Sequence, residues 1–199
     1  MAVESKENGS VAIPAKILLE TLKALPNQLV TFEADLEQRS LVITTETGMY
    51  KMAVDPPDDF PALPTSNDAE IMVPVERLMS GINYTIFATT SDEMRPAMTG
   101  VNVVVDFNKI SFVASDGHKL VRYHALGTST EQTGSFVIPK KAMSLLKGAT
   151  PSEGNVYLKY NKSHAFFRFE ETEVICRLIN QAYPDFNAVI PVNNKNVLY

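Results

Sequence analysis

The chain has 199 residues, 45% of them hydrophobic, and a net charge of −5. That composition suits a soluble globular protein of one large or two small domains and excludes disordered, collagenous and disulfide-stapled chains. Apolar runs are too short to span a bilayer, Met1–Lys6 has no apolar signal region, and the single Cys176 has no intrachain partner, so a reducing, cytoplasmic setting without membrane contact is expected.

The first element is an apolar run, Val11-Ala12-Ile13, that meets Pro14 and continues as Ala15-Lys16-Ile17-Leu18-Leu19-Glu20-Thr21-Leu22 with apolar residues at helical spacing. Proline is favoured at the first position of a helix, where its missing N–H would be unpaired anyway. The pattern therefore predicts a strand running straight into a helix over 14–25. Three short β-rich runs follow at Leu29–Ala34, Ser40–Thr45 and Met49–Val54, each bounded by turn-forming residues, and predict three strands. Next comes Asp55-Pro56-Pro57-Asp58-Asp59-Phe60-Pro61-Ala62-Leu63-Pro64, too rich in proline for a helix interior or central strand. It is expected to be a linker anchored by Phe60 and Leu63.

The strand-proline-helix pattern returns at Ile71-Met72-Val73-Pro74, predicting a helix over 74–90 and strands near 98–106, 109–115 and 118–126. A third copy, Phe136-Val137-Ile138-Pro139, predicts a helix over 139–149 and strands near 154–160, 163–169 and 173–179, with hairpin turns at Asn161-Lys162 and Glu170-Glu171-Thr172. Cys176 falls in the last strand, as a small core residue rather than a nucleophile. The stretch Ala182-Tyr183-Pro184-Asp185-Phe186-Asn187-Ala188-Val189-Ile190-Pro191 echoes the first linker. The fold class is α+β, built from one β-α-βββ unit repeated.

Charge is unevenly placed. The three helix windows carry Lys16, Lys23, Arg77, Lys140, Lys141 and Lys147 against Glu20 and Glu76, a net of +4, which leaves −9 for the rest. A basic helix set on an acidic body creates a local positive surface.

Catalytic signals are weak. His118 and His124 lie six apart on what is predicted as one strand, too far to share a metal with Asp116, and His164 stands alone. The sequence has no Gly-rich phosphate loop and no zinc-type cysteine pair. No catalytic residue, metal or cofactor is expected.

Lys109-Ile110-Ser111-Phe112-Val113-Ala114-Ser115-Asp116-Gly117-His118-Lys119-Leu120-Val121-Arg122-Tyr123 is predicted as a strand, a tight Asp-Gly turn and a returning strand. The Ser-Asp-Gly-His-Lys-Leu run, the three strand-proline-helix copies and the Tyr-Pro-Asp-Phe stretch ending in Ile-Pro together resemble the bacterial sliding clamp, the β subunit of replicative DNA polymerase III. The resemblance covers nearly the whole chain. It implies a DNA-clamp fold, with repeated β-α-βββ half-domains that place helices on one face and antiparallel sheet on the other. It further implies a non-catalytic processivity factor: a ring around duplex DNA, free of sequence preference, that tethers the replicative polymerase, clamp loader and repair proteins through short peptide motifs.

By this resemblance, residues 1–54 correspond to the second half of clamp domain I, 55–65 to a linker, 66–180 to the complete domain II, 181–191 to a second linker and 192–199 to the start of domain III. The partner-peptide pocket falls on Met98, Ser115, Gly117, His118, Lys119, Leu120, Pro184 and Val189. Lys119 and Ala188 stand where the family often has arginine. The DNA-facing set is Lys16, Lys23, Arg77, Lys140, Lys141 and Lys147, and lysine suits sliding because it attracts phosphate without reading bases. Tyr50 and Met52 mark the edge strand through which subunits pair in the full-length homodimeric ring, and a nucleoid-associated cytoplasmic location follows. The expectation for these 199 residues alone is that they do not close a ring. A peptide-binding adaptor that does not encircle DNA is the alternative reading.

Overall fold

The computed structural model describes residues 4–5, 8–128 and 130–191. The chain divides between Leu63 and Pro64 into two compact units. Among the described residues no helix is long and apolar enough to cross a membrane.

The first unit contains helix α1 (Ala15–Ala24) and strands β1 (Thr31–Asp35), β2 (Ser40–Thr44) and β3 (Met49–Ala53). The strands form an antiparallel sheet in the order β1-β2-β3. Its core is Leu41, Ile43, Met52 and Val54, against which Val11, Ile13, Leu18 and Val30 pack. The strand expected at Val11–Ile13 reduces to a single bridge between Ala12 and Asp55. Phe60 and Leu63, expected as anchors, are 65% and 69% exposed.

The second unit begins with strand β4 (Ile71–Pro74) and helix α2 (Val75–Thr85). Strands β5 (Gly100–Asp106), β6 (Lys109–Ser115) and β7 (Leu120–Leu126) follow. The second half repeats the order as β8 (Gly134–Pro139), α3 (Lys140–Ala149), β9 (Asn155–Tyr160), β10 (His164–Phe169) and β11 (Thr172–Arg177). The two sheets run β7-β6-β5-β8 and β11-β10-β9-β4. Each half therefore lends its leading strand to the other half's sheet: β4 pairs with β9 and β8 with β5, both antiparallel. This exchange explains why Val11–Ile13 is not a full strand. A leading strand is completed by the other half's sheet, and among the described residues of the first unit Ala12 bridges only to Asp55.

Helices α2 and α3 touch each other and cover the inner faces of both sheets. One core joins the two halves: Leu78 and Ile82 of α2, Met143 and Leu146 of α3, and Val73, Val103, Ile110, Phe112, Ile138, Val156, Leu158 and Phe167 of the sheets.

Three local expectations shift. The prolines 14, 74 and 139 sit at the N-cap rather than the first helical position, with extended backbone (ψ 103°, 136° and 142°). The Leu18 N–H donates to the Pro14 carbonyl at 3.2 Å, as an N-cap position requires. Helix α2 stops at Thr85 rather than 90 and tightens into a 3-10 turn at Ile86–Ala88. Thr85 Oγ1 donates back to the Gly81 carbonyl at 2.5 Å, and β-branched residues crowd the end. Residues Pro96–Thr99, partly assigned to a strand, form another 3-10 turn, which carries Met98.

Candidate partner-peptide site

The loop between β6 and β7 is built around one aspartate. Ser115 and Leu120 are the last paired residues, so the loop spans four residues rather than the two of a tight Asp-Gly hairpin. Asp116 Oδ1 accepts the backbone N–H groups of His118 and Lys119, each at 3.0 Å, and Oδ2 takes the Lys119 ammonium. The Lys119 side chain, then the two N–H groups, hold the Asp116 carboxyl far below the usual aspartate range. Ser115 Oγ donates to the Lys119 carbonyl at 2.8 Å and accepts the Gly117 N–H at 3.1 Å. Gly117 has φ +92°, and a Cβ there would come within 2.8 Å of Arg95 Nη1. Conformation requires the glycine, and a Cβ there would also push aside the Arg95 guanidinium that braces the loop.

Two further segments are tied to this loop. Arg95 Nη1 donates to the Asp116 carbonyl at 3.2 Å while its Nε pairs with Asp92 at 2.9 Å, and the Met98 N–H donates to the Arg95 carbonyl at 2.9 Å. The Met98 turn is thereby held near the loop. On the other side the chain leaves β11, bridges Ile179 to Val137, and crosses toward β7, where Arg122 Nη1 donates to Asn187 Oδ1 at 3.3 Å. The Tyr183 hydroxyl is buried and points toward the Ser115 backbone without closing a hydrogen bond of normal geometry. Its burial pushes the phenol pKa up.

The eight pocket residues thus lie on three neighbouring elements: Met98 on its turn, Ser115 to Leu120 on the loop and strand ends, and Pro184 and Val189 on the crossing strap. His118, Pro184 and Val189 are exposed, with Val189 at 67%, while Met98, Ser115 and Leu120 are partly buried. His118 sits in the loop, not on β7, so it does not share a strand with His124. His124 Nδ1 is bonded to Ser111 Oγ at 2.8 Å, a structural pairing, and burial lowers its pKa. Arg95, Arg122, Asn187 and Tyr183 were not among the expected site residues. Tyr183 stands inside the Tyr-Pro-Asp-Phe stretch and Arg122 near the end of the hairpin run, whereas Arg95 leaves no mark in the sequence pattern.

The six basic residues are all exposed, and none takes part in an ion pair among the described residues. On α3 the buried side is Ala142, Met143 and Leu146, which turns Lys140 and Lys141 outward and leaves Lys147 on the flank. Arg77 stands on the flank of α2, and Lys16 and Lys23 belong to α1 in the first unit. On β3, Tyr50 is 40% exposed, but Met52 packs into the core. What β3 offers at its free edge is therefore main chain, with Met49 and Tyr50 beside it.

Comparison with known proteins agrees with this architecture. Residues 72–185 match the family model described as DNA polymerase III beta subunit, central domain, and residues 1–64 match the N-terminal domain of the same subunit. The Beta sliding clamp of Staphylococcus epidermidis is 32% identical over 194 residues, covering 96% of this chain and 51% of that protein. The Beta sliding clamp of Synechocystis is 28% identical over 207 residues, covering 94% and 53%. The crystal structure of the DNA polymerase sliding clamp from Bacillus subtilis superimposes with a TM-score of 0.87 at 26% identity, covering 94% of this chain and 50% of that one. The chain spans about half the length of these relatives. It belongs to the DNA polymerase III beta subunit family.

Proposed function

We propose that this chain works as part of a DNA polymerase processivity factor, a non-catalytic clamp that surrounds duplex DNA and tethers the polymerase, clamp loader and repair proteins by short peptides. In this reading residues 1–54 are the second half of domain I, 66–180 are domain II between linkers 55–65 and 181–191, and 192–199, outside the described residues, open domain III. The full-length protein closes head to tail as a homodimer through the main chain of the β3 edge with Tyr50 beside it, while Met52 supports the strand from the core, in the cytoplasm with the nucleoid.

The observation that carries the proposal is the convergence of the Met98 turn, the Ser115–Leu120 loop and the Pro184–Val189 strap, cross-braced by Arg95 and Arg122. Met98, Leu120, Pro184 and Val189 supply an apolar floor for an aliphatic or aromatic anchor, and Ser115, Gly117, His118 and Lys119 supply a polar lip. Lys16, Lys23, Arg77, Lys140, Lys141 and Lys147, without a carboxylate partner among the described residues, are free to follow a phosphate backbone.

Titration with a labelled peptide of the Gln-x-x-Leu-Phe form tests the pocket. Met98→Ala and Pro184→Ala are each expected to weaken binding by about 1–2 kcal/mol, roughly five- to thirtyfold, and unchanged affinity in both removes the assignment. For DNA, the Lys140→Glu/Lys141→Glu/Lys147→Glu variant is expected to bind duplex more weakly at low salt. The logarithmic salt slope should shrink by about 0.9 for each phosphate that is no longer neutralised. Equal binding by variant and parent, with peptide binding intact, leaves the adaptor reading in its place.

A further inference from the structure

A second cleft lies beside the proposed pocket, under the strap that leaves β11. It encloses about 800 Å³ and is lined by Asn102 and Val104 of β5, Gly134 to Val137 of β8, Tyr160 to Lys162 at the β9–β10 turn, and the strap. Tyr183 and Pro184 line it, so the strap segment that serves the peptide pocket also forms a wall of the second cleft.

Two groups in its lining have unspent hydrogen-bonding capacity. Asn102 is 2% exposed, and its amide oxygen accepts Ser135 Oγ at 2.8 Å. The other end of that amide has no partner among the described residues. Because a flip of the amide interchanges the two ends, one end is spent on Ser135 and one is left over in either orientation. The second group is the main chain of Ser135. The Val137 carbonyl accepts the Ile179 N–H at 3.0 Å from the side of β8 opposite β5. Main-chain groups two residues apart in a strand face the same way. Ser135 therefore turns its N–H and C=O to that same side, where no described residue pairs with them. Both groups face the open cleft, where Ser135 is exposed and water serves them while the cleft is empty, and an extended peptide offers the complementary set: a carbonyl for one donor, an N–H for one acceptor, at strand spacing.

We infer that this cleft binds the flank of a partner peptide whose anchor occupies the proposed pocket, as a short added strand along the β8 edge at Ser135 with one peptide amide on Asn102. The inference rests on the pocket proposed above and extends it from an anchor site to a two-part site. Its ligand class is an extended polypeptide main chain. Side-chain selection comes from the aromatic rim, Tyr160, held by stacking on the buried Phe136 at 4.4 Å, and Phe186 on the strap. Tyr160 is seated there because Gly134 has no side chain; a Cβ would come within 2.7 Å of its hydroxyl.

The test compares two fluorescent peptides by anisotropy: a pentapeptide of Gln-x-x-Leu-Phe form, and the same pentapeptide extended by about six β-forming residues at each end, a reach of roughly 20 Å. The extended peptide is expected to bind the parent protein roughly tenfold tighter. Ser135→Trp, at an exposed position, fills the cleft, and Asn102→Ala removes the buried amide; both should abolish that gain while leaving the pentapeptide's affinity unchanged. Circular dichroism melts check that both variants fold, and Ser135→Trp alone decides the matter if Asn102→Ala does not. Equal affinity of the two peptides for the parent, or a gain that survives Ser135→Trp, overturns the cleft and leaves the pocket standing. A pentapeptide that does not bind the parent at all overturns the pocket and the cleft together.

Discussion

Gly81 sets how closely α2 lies on the sheet, and Gly81→Ala should show it. A Cβ built at this position comes under 3.0 Å from three ring carbons of Phe112, whereas carbon atoms pack best at roughly 3.5–4.0 Å. Ring or helix must therefore move by about 1 Å. Phe112 is 2% exposed, and the void beside it is about 10 Å³, room for about one water and too little for a displaced ring. Overpacking of this kind costs about 1–3 kcal/mol. Alanine returns up to about 1 kcal/mol through helix propensity. The three simultaneous overlaps place the packing cost at the upper end, so the net change expected is a loss of about 1–2 kcal/mol.

Helix α3 supplies an internal control. Gly148→Ala makes the same chemical change where nothing beyond the adjoining residues and the helix's own backbone lies within 4 Å of the new Cβ, so only the propensity gain applies and stability should rise by up to about 1 kcal/mol. Urea denaturation followed by far-ultraviolet circular dichroism reads both values, with an unchanged denaturant slope certifying the comparison. A Gly81→Ala variant as stable as the parent would refute the argument. Adding Phe112→Leu to Gly81→Ala should cost less than the two single losses combined, because the smaller side chain relieves the overlap.

Two further outcomes follow from the site and the core. The Asp116 pKa is lowered on folding, so its contribution is fully present above the unfolded aspartate value near 3.8 and is lost as pH falls from there toward the folded value. In a nuclear magnetic resonance titration the Asp116 carboxyl carbon should keep its ionised shift above about pH 5 and move toward the protonated one only below about pH 4; a midpoint above about pH 4 would contradict the loop geometry. Burial pushes the Cys176 thiol up to about 11, so alkylation by iodoacetamide at about pH 8 should be slow in the folded protein and accelerate at least roughly tenfold in denaturant. Rapid labelling without denaturant would show that β11 opens locally.

Local elements were largely legible in the sequence, because each depends on residues close in the chain. The prolines at 14, 74 and 139 mark all three helix starts to within one residue, and alternation marks β5, β6, β9 and β10 closely. What escaped depends on distant partners. The Val11–Ile13 run has the same local pattern as Ile71–Val73, yet only the latter finds a β9 to pair with. Met98 looked like the start of a strand, but the Arg95–Pro96 junction turns the chain, and the guanidinium of Arg95 is spent 21 residues away at Asp116. The pocket residues came from the family pattern, whereas the second cleft has no linear motif: the pairing of β5 with β8 sets Asn102 beside Ser135, and the strap adds Tyr183.

The exchange of leading strands has a consequence for how the second unit comes apart. Separating its halves means breaking two ladders at once, the four register pairs of β4 with β9 and the six of β5 with β8. Neither half retains a finished sheet after that step, so partial melting has no stable resting point and the unit unfolds in one cooperative transition. Assembly carries the converse burden. Ile71 must meet Leu158 across the intervening chain before the second sheet is complete, a high contact order that slows folding. A protein made of repeats usually tolerates losing or fraying one of them; here each repeat is unfinished without the other, and redundancy in sequence becomes mutual dependence in structure.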